Sequence, residues 1–527
     1  MAPRHCPLGL YAMCLRGVAY QVDKTARRLF LEHGSFEDCR ESIQVFQSFL
    51  CDILPTTVFE DLCDIRNFVN SYEDESFRSY CITSWLRDPR IKLSIYLYPG
   101  LSRFTVDPDG NELPQNLIDG MDEIFWCRHL SRLNNLTSLR LNMITTDEIL
   151  SVVGRHCPKL KHVNIVSKIR ESTIRTTHSN VSTFCLMLCV SDVGLYELAK
   201  CKDLQSIIMN KIIPSLVDNT NVVGSVSGIS INGVRHLVKS LPKLEHLNFG
   251  SMGRVIDAGF DPDKNWPLKI KYFCEMNPEY VNIPMLEKSI PYVEHVSLTA
   301  PFSVELVGDT GRELGEIARS NAIFESLAES SILKPKVYEF HSFPCAGERF
   351  KKFILCKGKH IEELTLRSID PVSFKEICLI GEECPYIRCL TIRGLQGVSS
   401  TSVHCGVDFY HRERKSTAYR FKHITTLVIS GKSWNPNLIL PYILRNAKNV
   451  SKISLLNTDC RYTLDAAWEK ILKDNPLSQL NTLMLYTGCF ISFILLKKFA
   501  IDLKSLEVIN FVLYSDFEIS HVEALRR

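Results

Sequence analysis

Twenty cysteines and fifteen histidines stand in this 527-residue chain, and thiolate and imidazole are the side chains best suited to metal ligation and nucleophilic attack near neutral pH. Their spacing offers neither. No Cys-x-x-Cys pair occurs, so a zinc site has no ligand pairs to build on. His404-Cys405 and His411 approach a metal-binding spacing without a second pair. Gly308-Asp-Thr-Gly311-Arg-Glu-Leu-Gly315 lacks the Gly-Lys-Ser/Thr ending of a phosphate-cradling loop and is not Gly-x-Gly-x-x-Gly. Gly224-Ser-Val-Ser-Gly228 puts Val226 where a nucleophile elbow needs serine. The residues point away from an enzyme, from a bound metal and from a cofactor.

The chemistry that remains is docking. Leu10, Cys14 and Val18 recur at i, i+4 and i+8, one narrow stripe if the segment is helical. A leucine knob, a small thiol and a branched residue suit a narrow pocket on a partner, and they equally suit ordinary core packing. Forty residues after Cys14, Leu54-Pro55-Thr-Thr-Val58 is an apolar-Pro-x-x-apolar phrase, with proline at the first-turn position a helix tolerates. Helices over Leu8–Val22 and Ser35–Leu54 would position these residues, the second capped by Ser35 with Asp38 at its third helical position. Residues 1–125 read as helical throughout.

From residue 136 onward one phrase returns, apolar-x-x-apolar-x-apolar. It stands at Leu136/Leu139/Leu141, Leu160/Val163/Ile165, Val181/Phe184/Leu186, Leu204/Ile207/Met209, Leu244/Leu247/Phe249 and Val293/Val296/Leu298. It continues at Ile361/Leu364/Leu366, Ile387/Leu390/Ile392, Ile424/Leu427/Ile429, Val450/Ile453/Leu455, Leu480/Leu483/Leu485 and Leu506/Ile509/Phe511. Six of the eleven spacings between first anchors fall in the roughly 20–29-residue window of leucine-rich repeats. Leu268–Phe273 and Pro335/Tyr338/Phe340 are candidates for missing copies. Between phrases, Asp147–Val153, Asp192–Ala199, Gly233–Leu241, Phe374–Ile380 and Leu464–Leu472 read as short amphipathic helices. Each short strand stacks on its neighbour with its anchors inward and a helix behind, so no repeat buries its own face and the array must stack.

Composition agrees with a folded chain: 45% of residues are hydrophobic and 23% charged, with a net charge of +3. Nothing in that balance announces a nucleic-acid binder. No apolar run reaches the roughly 18–20 residues of a membrane helix; Cys489–Leu496 is too short and meets Lys497 and Lys498. Leu8–Val18 is broken by Arg16 and has no cleavage pattern. The scattered cysteines therefore read as reduced, buried thiols in a cytoplasmic or nuclear setting.

Arg155-His-Cys-Pro-Lys-Leu-Lys-His-Val-Asn-Ile165 and Ser191-Asp-Val-Gly-Leu-Tyr-Glu-Leu-Ala-Lys-Cys201 resemble the cysteine-containing leucine-rich repeats found behind F-box motifs and in related ubiquitin-ligase receptors. The resemblance covers about residues 130–515 and implies an α/β fold, a curved leucine-rich-repeat solenoid with parallel strands on its concave face and helices on its convex face. The expected organisation is a helical adaptor-binding segment, 1–125, and a solenoid, 126–527, irregular or inserted around 210–345. Leu10-x3-Cys14-x3-Val18 resembles a BC box, and Leu54-Pro55-x2-Val58 a cullin box; together they resemble a von Hippel-Lindau box. That resemblance implies docking of Elongin C with Elongin B through Leu10, Cys14 and Val18, and of cullin-2 through Leu54, Pro55 and Val58. A competing parse opens an F-box at Leu54-Pro55, with Skp1 and cullin-1 as partners. A plain helical cap on a non-ligase scaffold is the third reading.

Residues between the anchors face outward, and a protein target would meet them. They include Arg140, His162, Asn164, His246, Asn248, Arg367, Arg393 and Tyr486, with His295 and Ser297 among their neighbours. The set is mixed and polar, which suits a protein or peptide better than a polyanion. Tyr410–Arg420, basic and carrying two tyrosines, lies in a long spacing and reads as a solvated loop or a binding loop.

Overall fold

The structure, a computed structural model, describes residues 8–55, 58, 90, 94–95, 97–106, 123–167, 169–175, 182–209, 226–257, 267–300, 310–343, 345, 347–396, 420–432, 434–457, 464–487 and 492–511. They fall into two compact units, Met1–Phe249 and Gly250–Arg527.

The first unit begins with two helices, α1 (Leu8–His33) and α2 (Arg40–Ile53). α1 runs well past the expected Val22 because Leu15, Val22, Ala26 and Leu29 keep one buried face at helical spacing. Gly34 ends it with φ +76°, the left-handed turn that glycine takes without strain. Contrary to the expectation from sequence, Ser35 does not cap α2. Its hydroxyl bonds Asp38 and closes a separate turn, and α2 starts after Cys39. The helix expected from Pro55 lies mostly outside the described residues.

Strand β1 (Arg103–Val106) corrects the all-helical reading of 1–125. It pairs in parallel with β2 (Ser138–Thr145), so the array starts before residue 136. The repeat phrase was present there too, at Leu101/Phe104/Val106. Helix α3 (Glu123–Leu130) lies between these strands in sequence, and α4 (Asp147–His156) follows β2. The parallel ladder continues through β3 (His162–Ser167). Two strands then leave it: β4 (Ile169–Arg175) pairs antiparallel with β5 (Ser182–Ser191). This corrects the phrase at Val181/Phe184/Leu186. Phe184 opposes Thr173 and Leu186 opposes Glu171 in a small separate sheet, since an apolar alternation marks a strand without choosing its partner. After α5 (Asp192–Leu198) the main ladder resumes with β6 (Ser206–Met209), directly against β3. β7 (Val226–Gly228) joins β5, α6 (Ile231–Ser240) follows, and β8 (His246–Asn248) pairs with β6.

The second unit holds α7 (Met252–Asp257), β9 (Tyr272–Glu275), α8 (Ile283–Ser289), β10 (His295–Thr299), α9 (Thr310–Glu329) and β11 (Val337–Phe343). It continues with α10 (Glu348–Lys357), β12 (Glu363–Val372), α11 (Phe374–Glu383), β13 (Cys389–Gln396) and β14 (Thr426–Lys432). It closes with α12 (Pro436–Leu444), β15 (Lys452–Asn457), α13 (Asp465–Asp474), β16 (Thr482–Thr487), α14 (Phe493–Asp502) and β17 (Val508–Phe511). β9 to β17 pair in parallel in sequence order. Both candidate missing copies are ladder strands, β9 and β11.

Each unit is thus a leucine-rich-repeat stack of the α/β class, built by a device the sequence repeats. The anchors are buried, Leu139, Ile207, Leu364 and Leu427 among them. A single carbonyl before most of the parallel ladder strands accepts two N–H groups from the next repeat. Thr137 O takes Lys161 and His162, Lys161 O takes Gln205 and Ser206, and Arg388 O takes Thr425 and Thr426. Half of the described α-helices open on a side-chain cap: Thr146, Ser191, Ser230, Asn282, Ser373, Asn435 and Ser492 each accept a backbone N–H of the first turn. Cys157 and Cys201 pack their thiols onto carbonyls of the preceding repeat, with Cys201 Sγ 3.4 Å from Cys157 O. Burial pushes these thiols up, to about 12 for Cys157 and about 11 for Cys201. Asn475 does the same job in the second unit, donating to Leu444 O at 2.7 Å.

Candidate functional site

Register places the outward residues in rows across neighbouring strands. In the first unit one row runs Ser138, His162, Ser206, His246, and the next runs Arg140, Asn164, Ile208, Asn248. All five expected target-binding residues of this unit therefore share one sheet face. His162 and His246 are exposed, and Arg140, Asn164 and Asn248 are half-buried.

In the second unit three rows cross the sheet. The first begins Tyr272, His295, Val337, Glu363, Cys389. The second begins Cys274, Ser297, Glu339, Thr365, Thr391. The third holds Thr299, His341, Arg367, Arg393, Ser430 and Leu456. Tyr486 continues the third row on β16; its side chain lies outside the described residues. Glu339 is the centre of a polar cluster that the sequence reading missed. Its Oε2 accepts the Ser297 hydroxyl at 2.9 Å. His295 Nε2 and His341 Nε2 each stand 3.5 Å from one of its oxygens, at ion-pair range. Those two imidazoles hold the Glu339 carboxyl well below the usual carboxylate range, against the opposing effect of burial. The Tyr272 ring meets His295 edge-on at 4.6 Å. The signal for Glu339 and His341 was their position between and beyond the anchors Tyr338 and Phe340.

The helical end is built differently. α2 buries Ile43, Gln47 and Leu50, and Gln47 Nε2 donates to Ser94 O at 3.0 Å and Ile95 O at 3.1 Å. The Ser94 hydroxyl shares a 3.0 Å hydrogen bond with His129 Nε2 on α3. Desolvation, then the cations Arg132, Arg128 and Arg40, push His129 down to about 4, so it is neutral at pH 7. On its other side α2 exposes Val45 (71%), Phe49 (56%) and Ile53 (56%) at i, i+4 and i+8. Leu54 follows as the C-cap, half-buried, and Pro55 is exposed. Val58 is half-buried, with its N–H on Pro55 O at 3.0 Å. Leu10, Cys14 and Val18 all lie in α1. Val18 is half-buried; the side chains of Leu10 and Cys14 lie outside the described residues.

Of the basic stretch Tyr410–Arg420 only Arg420 is described, and it is not a solvated charge. It is buried, donating to Glu382 Oε1 at 2.5 Å and to the Tyr442 hydroxyl at 3.0 Å. His404, Cys405 and His411 lie outside the described residues. Among those described, no group of three or more His, Cys, Asp or Glu stands close enough to hold a metal ion. None of the described helices is long and apolar enough to cross a membrane.

No protein-family model matches the chain, and comparison with curated proteins returns no match. Among solved structures it is similar to the leucine-rich repeat-containing protein LegL7 from Legionella pneumophila, at 11% identity over 70% of this chain and 96% of that one, with a TM-score of 0.34. It is also similar to an internalin, InlF, from Listeria monocytogenes, at 9% identity over 74% and 77% with a TM-score of 0.25. A chain of the Rad7 and Elc1 complex of yeast matches at 10% identity over 81% and 93%, with a TM-score of 0.33. Likenesses this weak say nothing of partners or activity, and the fold stands on the strand pairing described above.

Proposed function

We propose that this chain is the substrate-recognition subunit of a cullin-RING ubiquitin ligase, docking Elongin C with Elongin B, and cullin-2, through its N-terminal helices. It performs no chemistry itself. It holds a target protein on the outward sheet face beside a ubiquitin-loaded enzyme, raising the effective concentration of target lysines. The setting is the cytoplasm, the nucleus or both.

The observation that supports this reading best is the apolar row Val45, Phe49 and Ile53 on α2, turned opposite the buried Ile43, Gln47 and Leu50 and leading into Leu54-Pro55. A helix whose inner face is already satisfied gains nothing from a second apolar face in water, and such faces mark contacts with other proteins. The BC-box-like Leu10, Cys14 and Val18 precede it on α1 in the order a von Hippel-Lindau box requires.

Affinity purification from cells tests it, comparing wild type with Leu10→Ser/Cys14→Phe and with Phe49→Asp/Pro55→Ala, with blots for Elongin C, Skp1, cullin-1 and cullin-2. Elongin C captured by wild type and lost in the first variant is the expected result. Loss of cullin-2 alone in the second variant would assign the α2 face. Capture of Skp1 would move the adaptor site to an F-box opening at Leu54. Neither adaptor on a folded bait would leave a binding scaffold and end the ligase reading.

A further inference from the structure

Arg367 and Arg393 stand directly opposite each other on β12 and β13, on the same face, where neighbouring strands are about 4.8 Å apart. Like charges opposed across a strand pair repel. Both side chains are exposed, and among the described residues neither has an ion-pair partner. The nearest carboxylate in the neighbouring rows, Glu339, is committed to Ser297, His295 and His341. His341 precedes the arginines in their own row, and Ser430 follows them. Partial burial and the neighbouring Arg393 lower the Arg367 guanidinium from its ordinary value, against a smaller raising effect of Glu339. A pair of forked, permanently charged donors held side by side by a rigid ladder matches the two oxygens of a carboxylate or phosphate.

We propose that Arg367 and Arg393 anchor an extended segment of a partner protein through an oxyanion on that segment, either paired Asp/Glu carboxylates or a phosphorylated side chain. The face around the pair decides for a protein. Glu339 and Glu363 flank the arginines on the same sheet face and would repel the continuous charge of a nucleic acid, whose binding needs a run of cations. Two strands beyond Arg393 the row reaches exposed Leu456, about 10 Å away. That is close to the reach of three residues in polyproline II conformation, about 9 Å, in which side chains three apart share a face, so an apolar side chain three residues from the acidic one covers Leu456. The proposal rests on the sheet face being the target-binding face.

Selection of a displayed random-peptide library on the immobilised full chain tests it, with wild type beside Arg367→Glu/Arg393→Glu and Arg367→Lys/Arg393→Lys. Wild type is expected to enrich peptides with two or more acidic residues in a short window, and the reversed variant to lose that enrichment. By fluorescence anisotropy, the selected peptide should bind at least about tenfold more tightly than its Gln-substituted form, and the lysine variant should bind it several-fold more weakly. Replacing the acidic residues by one phosphoserine then names the source: tighter binding assigns a phosphorylated segment, weaker binding a carboxylate one. No acidic enrichment by wild type, or equal enrichment by the charge-reversed chain, overturns the proposal. The lysine variant keeps the charge of the fold, so its peptide affinity decides the matter should the reversed chain unfold. The selection contains no adaptor. Acidic capture without Elongin C binding would remove only the ligase reading, and Elongin C binding without acidic capture only this one.

Discussion

Asp147 holds the cap of the next repeat's helix: its Oδ1 accepts the Ser191 N–H at 2.8 Å and its Oδ2 accepts the Ser191 hydroxyl at 2.5 Å. The contact recurs one repeat on, where Asp192 accepts from the Ser230 N–H at 2.7 Å and its hydroxyl at 2.5 Å. Asp465 receives the Ser492 N–H at 3.1 Å in the second unit. Gly194 lets the carboxylate approach, since a Cβ there would fall 2.4 Å from Asp147 Oδ1. Asp147→Ala removes charge-assisted bonds from a partly buried cap and should cost about 2 kcal/mol, read by urea unfolding. Gly194→Ala should cost a similar amount by steric displacement of the same carboxylate, and the two together less than their sum. Additive costs would show that the glycine serves something else.

His129 makes the first unit sensitive to mild acid. The folded chain keeps this imidazole neutral down to about pH 4, while the unfolded chain protonates it near 6.5. Between those values only the unfolded state binds the proton, so stability is complete above about pH 6.5 and falls as pH drops toward 4. At pH 5.5 the loss is about 1 kcal/mol. Urea unfolding of wild type and His129→Gln at pH 7.5 and 5.5 reads it: the difference between the two proteins should shrink at the lower pH. An unchanged difference would mean that His129 titrates normally.

Phe324 on α9 meets Phe340 at 4.9 Å, Phe350 and Phe353 at 5.5 Å, and Phe343 at 5.7 Å, all buried. Phe324→Ala opens a cavity among four rings and should cost about 3–5 kcal/mol. Beside them, the buried Tyr338 hydroxyl has no hydrogen-bond partner among the described residues. Tyr338→Phe removes an unsatisfied group at constant shape and should raise stability by about 1 kcal/mol. A loss on that substitution in thermal unfolding would show that the hydroxyl is bonded.

The array was legible because its anchors are apolar at fixed spacing and must be buried together. Even the degenerate copies at Phe273 and Tyr338 followed the rule. What misled was a pattern with two outcomes: Phe184 and Leu186 alternate like anchors yet pair antiparallel with 169–175, because alternation specifies a strand and leaves its partner to the rest of the chain. The helix starts at Asp147 and Asp192 were legible from the apolar period, whereas the capping Thr146 and Ser191 are polar residues outside that period and carry no apolar signal. Arg367 and Arg393 were found as outward positions, but their opposition depends on register between strands 26 residues apart in sequence, which no local pattern carries. Glu339 escaped for the same reason: its meaning lies in Ser297 and His295, one strand away.

Arg420 shows that one end of the basic stretch is structural. Its guanidinium reaches Glu382 on α11 and the Tyr442 hydroxyl on α12, and stacks over the Tyr442 ring at 5.5 Å. Burial first, then Cys378 and Glu382, push the Tyr442 hydroxyl far above its ordinary range against the lowering effect of Arg420, so it stays protonated while it accepts from Arg420. Arg420→Met leaves Glu382 without its cation and should cost about 2 kcal/mol, less than a fully buried pair because Glu382 keeps contact with water. Arg420→Lys should recover little of that, since an ammonium cannot reach both partners as a planar fork does. The double-mutant cycle of Arg420→Met with Tyr442→Phe isolates the shared bond, expected at about 1 kcal/mol of coupling by urea unfolding. Full rescue by lysine with zero coupling to Tyr442 would reduce the role of Arg420 to its charge, and would return the stretch to a loop that is free to bind.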